Sequence, residues 1–180
     1  MDILIDNIKV NFSKNEFPIL IHGAEKTGAS FFSVCLLANL LKSGIKTFLF
    51  SAYPMAKEEF RKQTIGYEKN SIIIDSGDEQ ALLEALQKTS GLDERVVLIK
   101  NIDNYSVNVF NAVKNLELII FSGDLDNCQF ADSLIDKNFS TTILFSASEK
   151  YYQYDVNNLP KYHGKIISNT YNGVVSLDHK

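Results

Sequence analysis

The chain has 180 residues, 45% hydrophobic and 22% charged, with a formal net charge of −4. That is the size and balance of one ordinary globular domain, which at this length buries roughly 70% of its extended-chain surface. The acidic balance, with a pI of about 5.4, argues against a broadly basic nucleic-acid surface, and the two cysteines and three scattered histidines (His22, His163, His179) show no metal-ligand spacing.

The opening stretch, "MDILIDNIKV", is too short and too acidic for a signal peptide. No apolar run reaches the roughly 18–20 residues that cross a bilayer. The expectation is a soluble, cytoplasmic protein. "FPILIH" (17–22) predicts a buried strand. Residues 28–43 predict a helix, apolar on nearly every face and stopped at Gly44. Cys35 falls within it and reads as a small buried hydrophobe. "KTFLFSA" (46–52) predicts a second strand. Pro54 opens the helix "PMAKEEFRKQ", since a first turn needs no N–H there. "SIIID" (71–75) predicts a third strand, and Asp78 caps the helix "EQALLEALQK".

"RVVLIK" (95–100) predicts a fourth strand, followed by a short helix in "VNVFNAVKN". "LELIIFSGD" (116–124) and "TTILFSAS" (141–148) are further strands, with a short helix over 129–137 between them. These strands are continuous apolar runs, the pattern of a mostly parallel sheet covered by helices on both faces. Residues 164–178 differ. "GKIIS" and "GVVSL" flank "NTYN", and Asn172-Gly173 is a turn signal, which predicts a terminal antiparallel hairpin. No linker or repeat interrupts residues 1–180, so one domain is expected.

Between the first strand and first helix lies "HGAEKTGAS". Its spacing follows the phosphate-loop pattern G-x-x-x-x-G-K-[ST] through Gly23, Ala24, Glu25, Lys26, Thr27, Gly28, Ala29 and Ser30. The glycines permit the tight backbone that points successive N–H groups at an anion, and the helix N-terminus adds its positive end. Ser30 is placed to hold a magnesium ion. Ala29 stands where the pattern has the lysine that binds and neutralises the β- and γ-phosphates. Lys26, three residues earlier on the loop, is the nearby substitute, and an ordinary strand–helix turn is the plain alternative.

Two strand ends also bear on the chemistry. A phosphate-loop ATPase needs a carboxylate to organise magnesium and its water. After Ile99 the position holds Lys100, then Asn101; Asp103 follows on a different part of the loop. Lys100 either lends a positive charge to a bound phosphate, fills the space of the missing metal and lysine, or is a solvated strand-end residue. At the end of the second strand stand Tyr53 and Pro54, while Glu58 and Glu59 fall on the following helix.

In this order of pieces, from "FPILIHGAEKTGAS" through "KTFLFSAYP", "KNSIIIDSGDEQALLEAL" and "ERVVLIKNID" to "TTILFSAS", the chain resembles the RecA-like P-loop ATPases. The extra "IIID" strand and the closing "HGKIISNTYNGVVSL" make it similar to the KaiC-like branch; a comparison with AAA-type enzymes also loses both catalytic acids. The resemblance covers about residues 15–178. It implies a three-layer α/β fold with a mostly parallel central sheet and a C-terminal antiparallel β-hairpin. It also implies ATP or another phosphate-bearing ligand at Gly23, Glu25, Lys26, Thr27, Gly28, Ala29, Ser30 and Lys100. The implied partners are copies of itself or a related ATPase subunit, with nucleic acid not indicated.

The loop lysine, the strand-end aspartate and the activating glutamate are all absent, so the reading is a non-hydrolysing binding, regulatory or assembly subunit, with no catalytic residue or metal ligand assigned. The alternatives are a weak ATPase using Lys26, and an anion-sensing module without turnover. The stretch "EKYYQYDVNNLPKY", with Lys150, Tyr151, Tyr152, Tyr154 and Lys161, is either an interface or single-strand contact or a partly buried loop.

Overall fold

The computed structural model describes residues 2–5, 8–11, 14–169 and 172–177. Strands β1 (Asp2–Ile5), β2 (Ile8–Asn11), β3 (Ile19–His22), β4 (Thr47–Ser51), β5 (Ser71–Ile73), β6 (Val96–Lys100), β7 (Ile119–Gly123), β8 (Thr141–Leu144), β9 (His163–Ser168) and β10 (Asn172–Ser176) form one sheet. Its order is β2-β1-β10-β9-β8-β3-β7-β6-β4-β5. The strands from β3 to β8 run parallel to one another. From β8 outward through β9, β10, β1 and β2 every pairing is antiparallel.

The helices are α1 (Ala29–Lys42), α2 (Pro54–Gln63), α3 (Glu79–Lys88), α4 (Val107–Val113) and α5 (Ala131–Asp136). From β3 to β4 and from β4 to β5 the chain steps one way across the sheet. From β5 through β6 and β7 to β8 it steps back the other way. Because such crossovers share one hand, the reversal sends the two sets of helices to opposite faces. The core divides accordingly. Ile19 and Ile21 of β3 pack with Phe32, Leu36 and Leu40 of α1 and Phe60 of α2. Leu20, pointing the other way, packs with Leu82 of α3, Val109 and Phe110 of α4 and Leu134 of α5. The result is an α/β sandwich of three layers.

Local chemistry explains the element ends. Pro54 is the first residue of α2, where its missing N–H costs nothing. Asp78 caps α3 by accepting the Gln80 N–H. Gly44, at φ 90°, turns the chain out of α1 in the left-handed region. Strands β3, β4 and β6 are buried along their whole length, as continuous apolar runs predict, whereas β5 at the sheet edge is half-buried throughout.

Two expectations need correction, the hairpin turn and the burial of Cys35; the sheet is mostly parallel as predicted, with β1, β2, β9 and β10 as an antiparallel wing. The first two were not foreseen; they pair with each other, and β1 reaches β10 through Ile5 and Val175. The terminal hairpin is present, but Asn172 and Gly173 are not its turn. They lie within β10, opposite Ile167 and Ile166, so the chain reverses before them. Burial of Ile166 and Val175 on the core side holds that register. Cys35 is half-buried, with Gln63 donating to its sulfur, while Cys128 is the buried thiol.

Candidate functional site

In a parallel α/β sheet the loops after the strand ends share one edge, and ligand sites form there. Here the loops following β3, β4, β6 and β7 enclose a cleft of about 830 Å³ at that edge. Of the sequence-predicted residues, Gly23, Glu25, Lys26, Gly28, Ala29, Ser30 and Lys100 all line it. Thr27 does not; its hydroxyl turns back to donate to the Ala24 carbonyl at 2.8 Å.

The loop of residues 23–28 is tightly built. The Gly23 N–H donates to the Gly123 carbonyl on the neighbouring strand, and the Ala24 N–H to Ser146 Oγ beyond β8. A Cβ on Gly23 would lie 2.5 Å from the Ala29 Cβ and 2.6 Å from Thr27 Oγ1, so the backbone there passes too close to α1 for any side chain. Lys26 at φ 64° and Gly28 at φ 103° take left-handed conformations that turn the chain into α1. Gly28 is the N-cap and brings no capping side chain, and the first turn of α1 carries no acidic residue. This end of α1, with no capping side chain from Gly28, lies at the cleft.

Lys100 ends β6, two strands from β3, and is 2% exposed. Its ammonium donates to Ser30 Oγ at 2.5 Å. Burial pushes the Lys100 ammonium down to about 8, against a smaller upward pull from Asp103. Ser30 itself is exposed at the start of α1. Lys26, by contrast, is exposed on the loop, towards the mouth of the cleft. The lysine that reaches the serine comes from the distant strand end, not from the loop.

Asn101 adopts the left-handed region at φ 63°, with its side-chain carbonyl accepting from Ser51 Oγ at 3.0 Å. That kink throws Asp103 onto the cleft wall, nearer the centre than its sequence position suggested. Asp103 Oδ1 accepts the Asp124 N–H at 3.1 Å. A Cβ on Gly123 would sit 2.5 Å from that same oxygen, so glycine is needed for the approach. Tyr53 and Met55 stand exposed at the start of α2 and, with Phe31 of α1, make one apolar side of the cleft. Glu59 also lines it, while Glu58 is exposed away from it.

One residue that sequence reasoning left without a role braces the cleft. His22, 1% exposed at the end of β3, accepts the Leu125 N–H on Nδ1 at 3.0 Å. Its Nε2 therefore carries the proton and donates to the Ala147 carbonyl at 3.2 Å, with Ser146 Oγ at 3.1 Å. One ring thus ties together the chain ends beyond β3, β7 and β8. Asp124 and Asp126 approach the same histidine, but its Nδ1 lone pair is taken by a backbone donor, and Asp126 accepts from Ser148 Oγ at 2.6 Å.

No family model and no curated protein matches the chain. The functional reading rests on the geometry. What the cleft offers is a fixed positive charge, a serine hydroxyl, the N-terminal end of α1 and an apolar wall. Four carboxylates, those of Glu25, Glu59, Asp103 and Asp124, also line it, and Asp103 is engaged by a backbone N–H. The aromatic stretch meets the loop at its far end, where Lys161 and Tyr162 line a small hollow with Lys26 and Thr27. Tyr151 and Tyr154 are half-buried with ring centroids 6.4 Å apart, Tyr152 is 86% exposed, and Lys150 pairs with Asp132. No helix among the described residues is long and apolar enough to cross a membrane.

Proposed function

We propose that this is a phosphate-loop protein similar to the RecA-like ATPases, and within them to the KaiC-like branch, that has kept the scaffold and does not hydrolyse nucleotide. It acts by binding, as a regulatory or assembly subunit beside copies of itself or related ATPase subunits. The observation that carries this reading is the contact of Lys100 with Ser30. Hydrolysis at a loop of this spacing needs a lysine on the phosphates, a magnesium ion on the serine hydroxyl and a carboxylate behind it. In this chain the lysine position is Ala29, and the strand end that would carry the acid sends an ammonium to the hydroxyl instead.

A phosphate-release assay with ATP and magnesium tests the reading. No release above the protein-free blank is expected. Turnover that disappears in Lys26→Ala would overturn it in favour of a weak ATPase served by the loop lysine.

A further inference from the structure

Lys100 is a charge that folding has placed at a cost. Its only hydrogen-bond partner among the described residues is a neutral hydroxyl, and the ion pairs of those residues all lie elsewhere. Asp103 attracts the ammonium, but less than burial penalises it; a buried charge with no directly bonded counter-ion is unfavourable, and a close anion offsets that cost. Even with its affinity for protons lowered to about 8, the group is roughly nine-tenths protonated at pH 7. The cleft above it is open to solvent and large enough for a small ligand, and the N-terminal end of α1 adds partial positive charge on the same side.

A divalent cation does not fit this arrangement. The Ser30 hydroxyl, which an intact loop turns towards magnesium, receives a hydrogen bond from a cation already in place. The nearest strand-end carboxylate, Asp103, spends one oxygen on the Asp124 N–H. A metal ion at Ser30 would face the ammonium at close range, with no displaced charge to balance it.

We propose that the cleft binds a phosphate-bearing ligand without a divalent cation, with the Lys100 ammonium as the fixed positive charge that the metal ion and the loop lysine supply together in an intact phosphate loop. This rests on the phosphate-loop reading above and adds the ligand class and its metal independence. Phe31, Tyr53 and Met55 offer an apolar side to whatever group carries the phosphates. Glu25, Glu59, Asp103 and Asp124 line the same cleft and temper its field, which favours a ligand whose charge is concentrated at Lys100 over one whose charge is spread across the opening.

Calorimetric titration of the full chain with ATP and with inorganic tripolyphosphate, each in EDTA and in excess magnesium, tests the proposal. ATP is expected to bind in EDTA at least as tightly as in magnesium, because chelation of the phosphates by the metal removes charge that Lys100 needs. Lys100→Met is expected to weaken binding in EDTA about tenfold or more, the loss of one charge-assisted hydrogen bond. Lys88→Met, which removes an exposed lysine at the end of α3 outside the cleft lining, controls for the change in net charge. Tripolyphosphate that binds as well as ATP assigns recognition to the phosphates alone; ATP that binds more tightly assigns part of it to the apolar wall. Either pattern supports the proposal. Binding seen only with magnesium, binding unchanged in Lys100→Met, or no binding of either probe in EDTA would overturn it. None of these results involves turnover, so the non-hydrolysing reading stands or falls separately on phosphate release.

Discussion

The ammonium of Lys100 at the end of β6 donates to the hydroxyl of Ser30 in the first turn of α1, across 70 positions of sequence. In the phosphate-loop reading proposed above, it joins the two elements on which hydrolysis would depend, through a cation where a hydrolysing site has a metal ion. A buried cation of this kind leaves an energetic signature. Lowering the ammonium from its ordinary value of 10.5 to about 8 corresponds to about 3 kcal/mol of differential stability. Below pH 8 both folded and unfolded chains carry the proton, and the folded state bears the full penalty. Between about 8 and 10.5 the unfolded state binds more protons, so stability rises with pH. Lys100→Met is therefore expected to be more stable than the parent by about 2–3 kcal/mol near pH 7, with the gain fading as pH approaches 10.5. Urea unfolding midpoints of the two proteins at neutral and alkaline pH check this. A variant less stable than the parent at neutral pH would mean that the ammonium is well compensated.

A lysine placed at Ala29 is not expected to create hydrolysis. Ala29 is 3% exposed and its methyl group packs against the Gly23 backbone. A longer side chain at that position has to displace the loop, and Lys100 already occupies the serine. Ala29→Lys should lose about 1–3 kcal/mol through overpacking and release no phosphate from ATP. Thermal unfolding and the phosphate-release assay read the two halves of this outcome.

Much of this arrangement was legible in the sequence. Pro54 and Asp78 marked the starts of α2 and α3 at the residue, because each acts through a local, one-residue mechanism. The pairing of Gly23 and Gly28 around a strand–helix turn pointed to the loop. For Lys100 three alternatives stood: a charge for a phosphate, a filler of the space of metal and lysine, or a solvated strand-end residue, of which its burial removes the last. That it reaches Ser30 was not readable, since the contact depends on the order of strands in the sheet. His22 gave no signal beyond being a histidine at the end of an apolar run. Its role comes from two loops more than 100 residues away in sequence. The hairpin turn was misplaced for a related reason. Asn172-Gly173 has the local propensity for a turn, but the pairing of Gly173 with Ile166 and the burial of Val175 hold it in the ladder. The strands β1 and β2 lay in a stretch with no strong apolar run.

His22 should prove structural. Replacing it by alanine leaves the Leu125 N–H and the Ala147 carbonyl without their partner in a buried place. The cost is about 2–4 kcal/mol. Hydrogen exchange at the Leu125 amide should accelerate more than exchange in β4, which the ring does not touch. Equal acceleration in both would mean that His22 supports the whole sheet and not the cleft edge.

Gly28→Ala tests the turn into α1. At φ 103° an L-residue is strained whatever its surroundings, and the added methyl group would lie 2.9 Å from Leu177 Cδ1 and 3.2 Å from the Tyr162 ring. A loss of about 1–3 kcal/mol is expected, read as a lowered thermal midpoint. A neutral substitution would show that the loop has room to relax away from the C-terminal hairpin.

The most direct test is an NMR titration of the Lys100 side-chain nitrogen, assigned by its absence in Lys100→Met. A lysine buried on Ser30 titrates with a midpoint of about 8 in the free protein, and the midpoint moves upward when tripolyphosphate is added in EDTA. A midpoint near the ordinary 10.5, unmoved by the anion, would place Lys100 in solvent and contradict the account.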